Sequence, residues 1–452
     1  MPGPRHVIVG AGTAGFNAIT TLLSLDPTAN VTLIAQEPPY ARMVLPYYLS
    51  SEIDEANVYT ISPERLRELG VHTLLGRHAQ ALDTAGRQVQ LDSGAPVPYD
   101  DLLIATGSRA VRPPLPGIDG AKVYEHWTLA DTQALRQVAT PGAEVAIIGA
   151  GFIAFTIVNP LREAGCGVTL IEREPSVLPR MLDREGAGVL RHWMSSQGIH
   201  SFVGTELLSI EDDPRGRKRL LLKDQALPVE ADVVIVATGI APNVEWLKGS
   251  GLALNRGVLV DATLKTSDPS VYAAGDIAET LDPRTGQRGI MAIEVAAMEQ
   301  GRIIGAAMAG RAHDYAGSML MNVVETAGLQ AASFGNWAGD DYTEDRAAGG
   351  HYRRYVWAGD TLTGGVIIGP ARRMAAENDM GMLKGLIQAG QPLGAWKDLL
   401  VHQPFELKKV YLASRAVSSL LPRMVLGTPS LPLAAALAGA GGPGTLSAGA
   451  PT

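Results

Sequence analysis

Short apolar runs punctuated by glycine turns set the rhythm of this chain. His6-Val7-Ile8-Val9 runs into a glycine-rich turn, a helical pattern follows from about Ala14 to Leu25, and a second apolar run spans Val31 to Ile34. Strand, turn, helix and strand in that order predict a βαβ unit. Short strands are predicted next at residues 71–74, 88–91 and 101–104, the last closed by Ala105-Thr106-Gly107. The pattern then restarts. Val145-Ala146-Ile147-Ile148 leads to a second glycine turn, a helix to about Ala164 and a strand from Val168 to Ile171. A later strand, Asp232 to Val236, is closed by Ala237-Thr238-Gly239, so the same tripeptide ends both halves. This repetition predicts an internal duplication.

The turns themselves carry chemistry. The first is GAGTAG, with Gly10, Gly12 and Gly15, and the second is GAGFIA, with Gly149, Gly151 and Ala154. A glycine turn between strand and helix lets backbone approach a pyrophosphate, and the helix N-terminus favours its charge. One such motif is weak, but two in the same local context imply two nucleotide cofactors on two similar domains. Glu37 lies where an acid hydrogen-bonds a ribose, and Glu172 ends the corresponding strand of the second half. A carboxylate there favours NADH over NADPH, with Arg173 next door working the other way. NADPH therefore stays open.

Beyond Pro242 the chain runs to Val271-Tyr272-Ala273-Ala274-Gly275-Asp276, predicted as a return strand of the first domain. From about residue 317 to 412 the apolar stretches Tyr352–Trp357 and Leu362–Ile368 predict an antiparallel sheet. Residues Leu399 to Leu421 carry Lys408, Lys409 and Arg415 among apolar positions. They predict an amphipathic helix that docks on a partner or membrane surface or packs on the chain's own third domain. The end from about Thr428 is rich in Ala, Gly, Pro and Leu and is expected to be weakly ordered.

Composition narrows the function. A net charge of −8 offers no basic excess for nucleic acid. The single cysteine, Cys166, excludes an internal disulfide, a redox dithiol and a cysteine-rich iron–sulfur or zinc site. The nine histidines show no metal-ligand spacing. No apolar stretch reaches the roughly 18 residues a membrane span needs, and no signal peptide is read, so a soluble cytoplasmic protein is expected.

The ordered set GAGTAG, LLIATGSR, GAGFIA, VIVATGIAPN and VYAAGDI resembles the pyridine nucleotide–disulfide oxidoreductase superfamily of flavoproteins over residues 5 to 412. The branch it looks most like holds NADH oxidases, rubredoxin and ferredoxin reductases and nitrite reductase flavin domains. The resemblance implies an α/β fold with two Rossmann-like dinucleotide-binding domains, one for FAD and one for NAD, plus a C-terminal α+β interface domain. The implied boundaries are 1–115 with 245–316 for FAD, 116–244 for NAD(P)H, 317–412 for dimerisation, and 413–452 as an extension.

It also implies site roles. Gly10, Gly12, Thr13, Ala14 and Gly15 would hold the FAD pyrophosphate, Glu37 the adenosine ribose, and Gly275 and Asp276 the ribityl chain. Ala105, Thr106 and Gly107 would line the same cofactor. Gly149, Gly151, Phe152, Ile153, Glu172 and Gly239 would hold the nicotinamide nucleotide. Arg42, Met43 and Glu294 are the flavin-proximal candidates, none of them a certain catalytic group. Glu294 opens a segment, EVAAMEQGR, that matches a family helix whose N-terminus points at the flavin. Its carboxylate would oppose negative charge on reduced flavin unless it faces solvent or substrate.

Two departures from the family matter. Met43 stands where thiol-active relatives carry the cysteine, in Met43-Val44-Leu45-Pro46-Tyr47-Tyr48, and a thioether supplies no thiolate. Thr156 replaces a frequent Glu, and Pro160 is expected to kink the second dinucleotide helix and weaken the nicotinamide site. The implied activity is hydride transfer from NADH to N5 of FAD, then electron delivery to a partner redox protein or small acceptor without a cysteine shuttle. Two other readings remain: a flavin oxidase or quinone-type reductase, and a weakly catalytic redox sensor or complex subunit of the apoptosis-inducing-factor type. A homodimer is implied by the resemblance alone.

Overall fold

The chain folds as two compact units, residues 1–330 and 331–452. The computed structural model describes residues 3–282, 286–371 and 374–415, together with the paired strands Met424–Val425 and Thr428–Pro429. The predicted weakly ordered tail and most of the 413–452 extension lie outside the described residues.

In the first unit, the apolar runs become two five-stranded parallel sheets. One is ordered Val271–Ala273, Asp101–Ile104, Arg5–Val9, Asn30–Ala35, His72–Leu75. The other is ordered Val123–Glu125, Val233–Val236, Glu144–Ile148, Gly167–Glu172, His200–Val203. Each sheet places its glycine strand in the centre and its ATG strand beside it. Each also takes its edge strand from a distant stretch of chain, and Val271–Ala273 is the predicted return strand. Near-continuous apolar runs such as Val145–Ile148, each residue under 9% exposed, suit strands covered on both faces.

The duplication goes further than its tripeptides. Ahead of each ATG strand lies a small three-stranded antiparallel sheet, Ala79–Asp83 with Gln88–Leu91 and Val97–Pro98, then Leu207–Asp212 with Lys218–Leu222 and Val229–Ala231. After the ATG tripeptides, Ser108–Ala110 and Ile240–Pro242 pair antiparallel and join the two halves as a two-stranded crossover.

The first dinucleotide helix, Thr13–Leu25, packs along the helix Glu294–Met308. Two glycines make that contact possible. A Cβ on Gly301 would lie 2.2 Å from the Ala14 carbonyl oxygen, and one on Gly305 2.4 Å from that of Ala18. Around them Ala18, Ile19, Leu22, Ile304 and the sheet residues form the core of this half.

Pro160 does not end the second dinucleotide helix, which continues from Phe152 to Glu163. Proline removes the donor that the Thr156 carbonyl would otherwise receive. Pro160 is itself buried, and Ala164 still donates to its carbonyl at 3.0 Å, so packing and the following turn carry the helix through.

In the second unit, an antiparallel sheet is ordered Leu329–Gly335, Thr361–Pro370, His351–Ala358, Tyr342–Ala347, as the alternation after residue 317 predicted. The helix Met374–Ala389 packs on it. Inside, the buried Arg353 pairs with Asp379 at 2.7 Å, and Tyr355 donates to the Pro404 carbonyl at 2.6 Å. The amphipathic stretch expected as one helix from Leu399 to Leu421 is instead two short helices, Ala395–His402 and Leu407–Ser414. The break falls at Gln403-Pro404, where the residue before proline is driven out of helical geometry. Residues 416–421 lie outside the described residues.

Candidate functional site

Both glycine turns have the geometry a diphosphate needs, and they share it in detail. Gly10 sits at φ +114° and Gly149 at φ +102°, both in the region that side chains rarely enter. Gly10 donates to Ile34 O at 2.8 Å and Gly149 to Ile171 O at 2.7 Å. A Cβ on Gly10 would fall 2.1 Å from the Ala105 carbonyl oxygen, and one on Gly149 2.4 Å from that of Ala237. The ATG tripeptide of each half is therefore the wall against which the turn closes. The second glycines differ. Gly12 and Gly151 have nothing within 4 Å of a Cβ position, so each helix N-terminus is open to a ligand. Gly15 packs inward, its Cβ position 2.0 Å from Gly10 O.

Around the first turn the predicted residues converge from remote parts of the chain. Ser108 donates to the Asp276 carboxylate at 2.6 Å, and Gln300, almost wholly buried, accepts from the Gly275 amide at 2.8 Å. Asn243 donates to the Thr106 carbonyl at 2.8 Å. Arg42 donates to the Trp127 carbonyl at 2.9 Å with its guanidinium 5.0 Å from the indole centroid, and the Trp127 indole donates to Ser108 O at 2.7 Å. Arg42 is thereby linked through Trp127 and Ser108 to Asp276. Met43 next to it is 43% exposed and Tyr47 52% exposed, which leaves an apolar surface beside this network.

Glu37 accepts a hydrogen bond from Tyr40 at 2.9 Å, and the Tyr40 oxygen accepts from Leu129 N at 3.1 Å. Burial drives the Tyr40 phenol well above its ordinary pKa, so it stays a donor. That bond fixes Glu37 Oε2. Glu294 is the first residue of its helix, and its carboxylate accepts from the Thr13 hydroxyl at 3.2 Å. It faces the first residue of the dinucleotide helix.

At the second turn, Glu172 Oε2 accepts from Ala150 N at 2.7 Å and Oε1 from Glu174 N at 2.9 Å. Two backbone amides orient the carboxylate at the mouth of the turn. Arg173 is 81% exposed and lies 3.6 Å from Glu174, so its charge is directed at that neighbour. Thr156 donates to Ile153 O at 2.7 Å within its own helix. Phe152 and Ile153 open the helix, and Gly239 follows the ATG wall at φ +132°.

Cys166 is buried and donates weakly to Thr140 O at 3.5 Å, and burial raises its thiol pKa. It belongs to the helix-to-strand turn and not to either glycine cradle. An open surface depression lined by Tyr48, Glu55, Gln133 and Arg136 includes none of the predicted site residues.

Sequence reasoning missed Ser108, Trp127, Asn243, Gln300, Gly301 and Gly305. Ser108, Asn243, Gln300 and Gly301 lie inside the motifs LLIATGSR, VIVATGIAPN and EVAAMEQGR without having been singled out, and Gly301 and Gly305 form an i, i+4 pair inside a helical pattern. The four that are not glycine are ordinary residue types whose roles arise from partners over 20 positions distant, save for the Trp127–Ser108 bond at 19.

Comparison with known proteins agrees with this geometry. A family model described as pyridine nucleotide-disulphide oxidoreductase matches residues 4–301. The chain is 29% identical over 369 residues to the NADH-dependent phenylglyoxylate dehydrogenase subunit epsilon of Aromatoleum evansii, covering 80% of this chain and 87% of that one. It is 34% identical over 285 residues to the ferredoxin–NAD(+) reductase component of the biphenyl dioxygenase system of Paraburkholderia xenovorans, covering 63% and 69%. A crystal structure of the ferredoxin reductase for the CYP199A2 system from Rhodopseudomonas palustris superposes with a TM-score of 0.81 at 25% identity, over 90% of this chain and all of that one.

Proposed function

The chain belongs to the pyridine nucleotide-disulphide oxidoreductase family and is an FAD-dependent NAD(P)H oxidoreductase, and we propose that it delivers electrons from NADH to a protein partner without a cysteine shuttle. The observation that carries this is the pair of matching glycine cradles beside a reactive segment whose thiol position is Met43. When bound, the flavin supplies the chemistry, accepting a hydride and releasing electrons singly or in pairs.

The chain's own residues bind and orient. In this reading the open amides after Gly12 take the FAD diphosphate, Glu37 the ribose, and Asp276, held by Ser108, the ribityl hydroxyls. Ala105, Thr106 and Gly107 close the cradle from the side, with Asn243 fixing the Thr106 carbonyl. At the second turn, Gly149, Gly151, Phe152 and Ile153 receive the NADH diphosphate, and Glu172 faces the adenosine ribose. A carboxylate there repels a 2′-phosphate, and the exposed Arg173 does not offset it. Arg42, set over Trp127, and the exposed Met43 and Tyr47 form the face presented to the acceptor.

The reading assigns residues 1–115 with 245–316 to FAD and 116–244 to NAD(P)H. Residues 317–412 form a dimer face in this reading, and the dimer rests on the family resemblance alone. A subunit role inside a larger enzyme is favoured by one finding: the relative matched over 80% of this chain is itself a dehydrogenase subunit. An anaerobic titration tests the proposal. NADH added to the flavin-loaded protein is expected to bleach the flavin bands, and oxidised ferredoxin to restore them faster than air does. Reoxidation by air at the turnover rate would make it an oxidase, and bands that bleach only with dithionite would make it a sensor.

A further inference from the structure

One helix N-terminus opens at the first cradle, and a second helix lies along it. Thr13–Leu25 begins directly after the open Gly12, and Glu294–Met308 is locked against it by Gly301 and Gly305. Unpaired amides and an aligned dipole make the end after Gly12 favourable to an anion. Into this region the chain places a carboxylate of its own, Glu294, within 3.2 Å of the Thr13 hydroxyl. The bond from Thr13 is neutral and orients the carboxylate without cancelling its charge. The second cradle is built differently. Its carboxylate, Glu172, receives two backbone N–H groups, one of them from the turn residue Ala150.

We propose that Glu294 is a charge counterweight that sets how tightly the FAD diphosphate is held, keeping the cofactor weaker-bound than the helix end after Gly12 alone would make it. This rests on the reading that the Gly10–Gly15 turn takes FAD. The carboxylate stabilises the positive end of the helix that begins at Thr13 while the cradle is empty. Once the diphosphate arrives, the carboxylate stands as a like charge beside it, and like charges a few ångströms apart repel in a half-buried site. Glu294 is a positioning residue in this account, since it acts through the field at the turn and needs no contact with the reacting ring.

The test uses the flavin-loaded protein and reads release of FAD as flavin fluorescence after dilution. Glu294→Gln keeps the shape and an oxygen for Thr13 while removing the charge. FAD release is expected to slow about tenfold, equivalent to about 1.4 kcal/mol. Glu294→Asp keeps the charge and should release FAD within about twofold of wild type on the same scale. Release from E294Q as fast as from wild type overturns the proposal, as does E294D matching E294Q. Wild-type protein that takes up no FAD at all overturns the site reading together with the inference. Wild type that binds FAD with E294Q indistinguishable from it overturns the inference alone.

Discussion

Replacing Gly301 by alanine tests whether the two helices at the FAD cradle are held by backbone contact. The new Cβ would lie 2.2 Å from Ala14 O and 3.0 Å from the Ala14 carbonyl carbon. A carbon and a carbonyl oxygen rest at roughly 3.3 Å or more, so one helix must shift by about 1 Å. The obstacle is backbone in the first turn of the dinucleotide helix, which no side-chain rotation can clear. Overpacking of this kind costs up to ~3 kcal/mol, against ~1 kcal/mol gained from alanine's helix propensity, a net loss of about 2 kcal/mol.

The same substitution at Gly188 is the control. It lies exposed inside the helix Arg184–Ser196 with nothing within 4 Å of its Cβ position, so only the propensity gain remains. Melting followed by flavin and tryptophan fluorescence should show Gly301→Ala down by roughly 4–8 °C with part of its flavin lost, and Gly188→Ala up by roughly 2 °C. A Gly301→Ala protein that melts at or above wild type with full flavin content would refute the argument that this contact shapes the cradle.

Three further outcomes follow from other parts of the structure. Glu172→Ala should raise the NADPH-to-NADH ratio of kcat/KM about tenfold, and an unchanged ratio would mean that this carboxylate does not face the coenzyme ribose. His126 is buried, and desolvation pushes its pKa from 6.5 down to about 4. The unfolded chain therefore takes up a proton that the native state refuses, so stability falls as pH drops from 6.5 towards 4, by about 2 kcal/mol at pH 5. Melting curves at pH 7 and pH 5 should show that loss in wild type, and a His126→Asn protein should lose correspondingly less; parallel losses would contradict a neutral buried imidazole. Cys166→Ser should keep wild-type NADH-to-dye turnover, because the sole thiol is buried in a structural turn, and a large loss of turnover in a folded variant would reopen thiol chemistry.

What could be read in advance was whatever backbone physics leaves to one residue type. Gly10 and Gly149 had to be glycine because a carbonyl, Ala105 or Ala237, occupies the place of a side chain, so the motif and the contact are one constraint. The parallel strands were legible for a similar reason, since runs such as Val145–Ile148 suit burial on both faces. Pro160 removes one bond of its helix, as its residue type dictates, while the helix runs on to Glu163 because of packing that the sequence does not display. The partners of Ser108, Trp127, Asn243 and Gln300 were invisible, although three of these residues lie inside the quoted motifs, because nothing in a serine or a glutamine announces a partner far along the chain.

Glu294 shows where that boundary falls. An acid in the first turn of a helix is favourable against the dipole whatever else it does, so its residue type carries no further information. Its role comes from the hydrogen bond to Thr13, across 281 positions of sequence. That bond turns a helix-start acid into a charge beside the first glycine turn. The residues that build the cradle are therefore constrained one at a time, while those that tune it are defined only by the fold that brings them together.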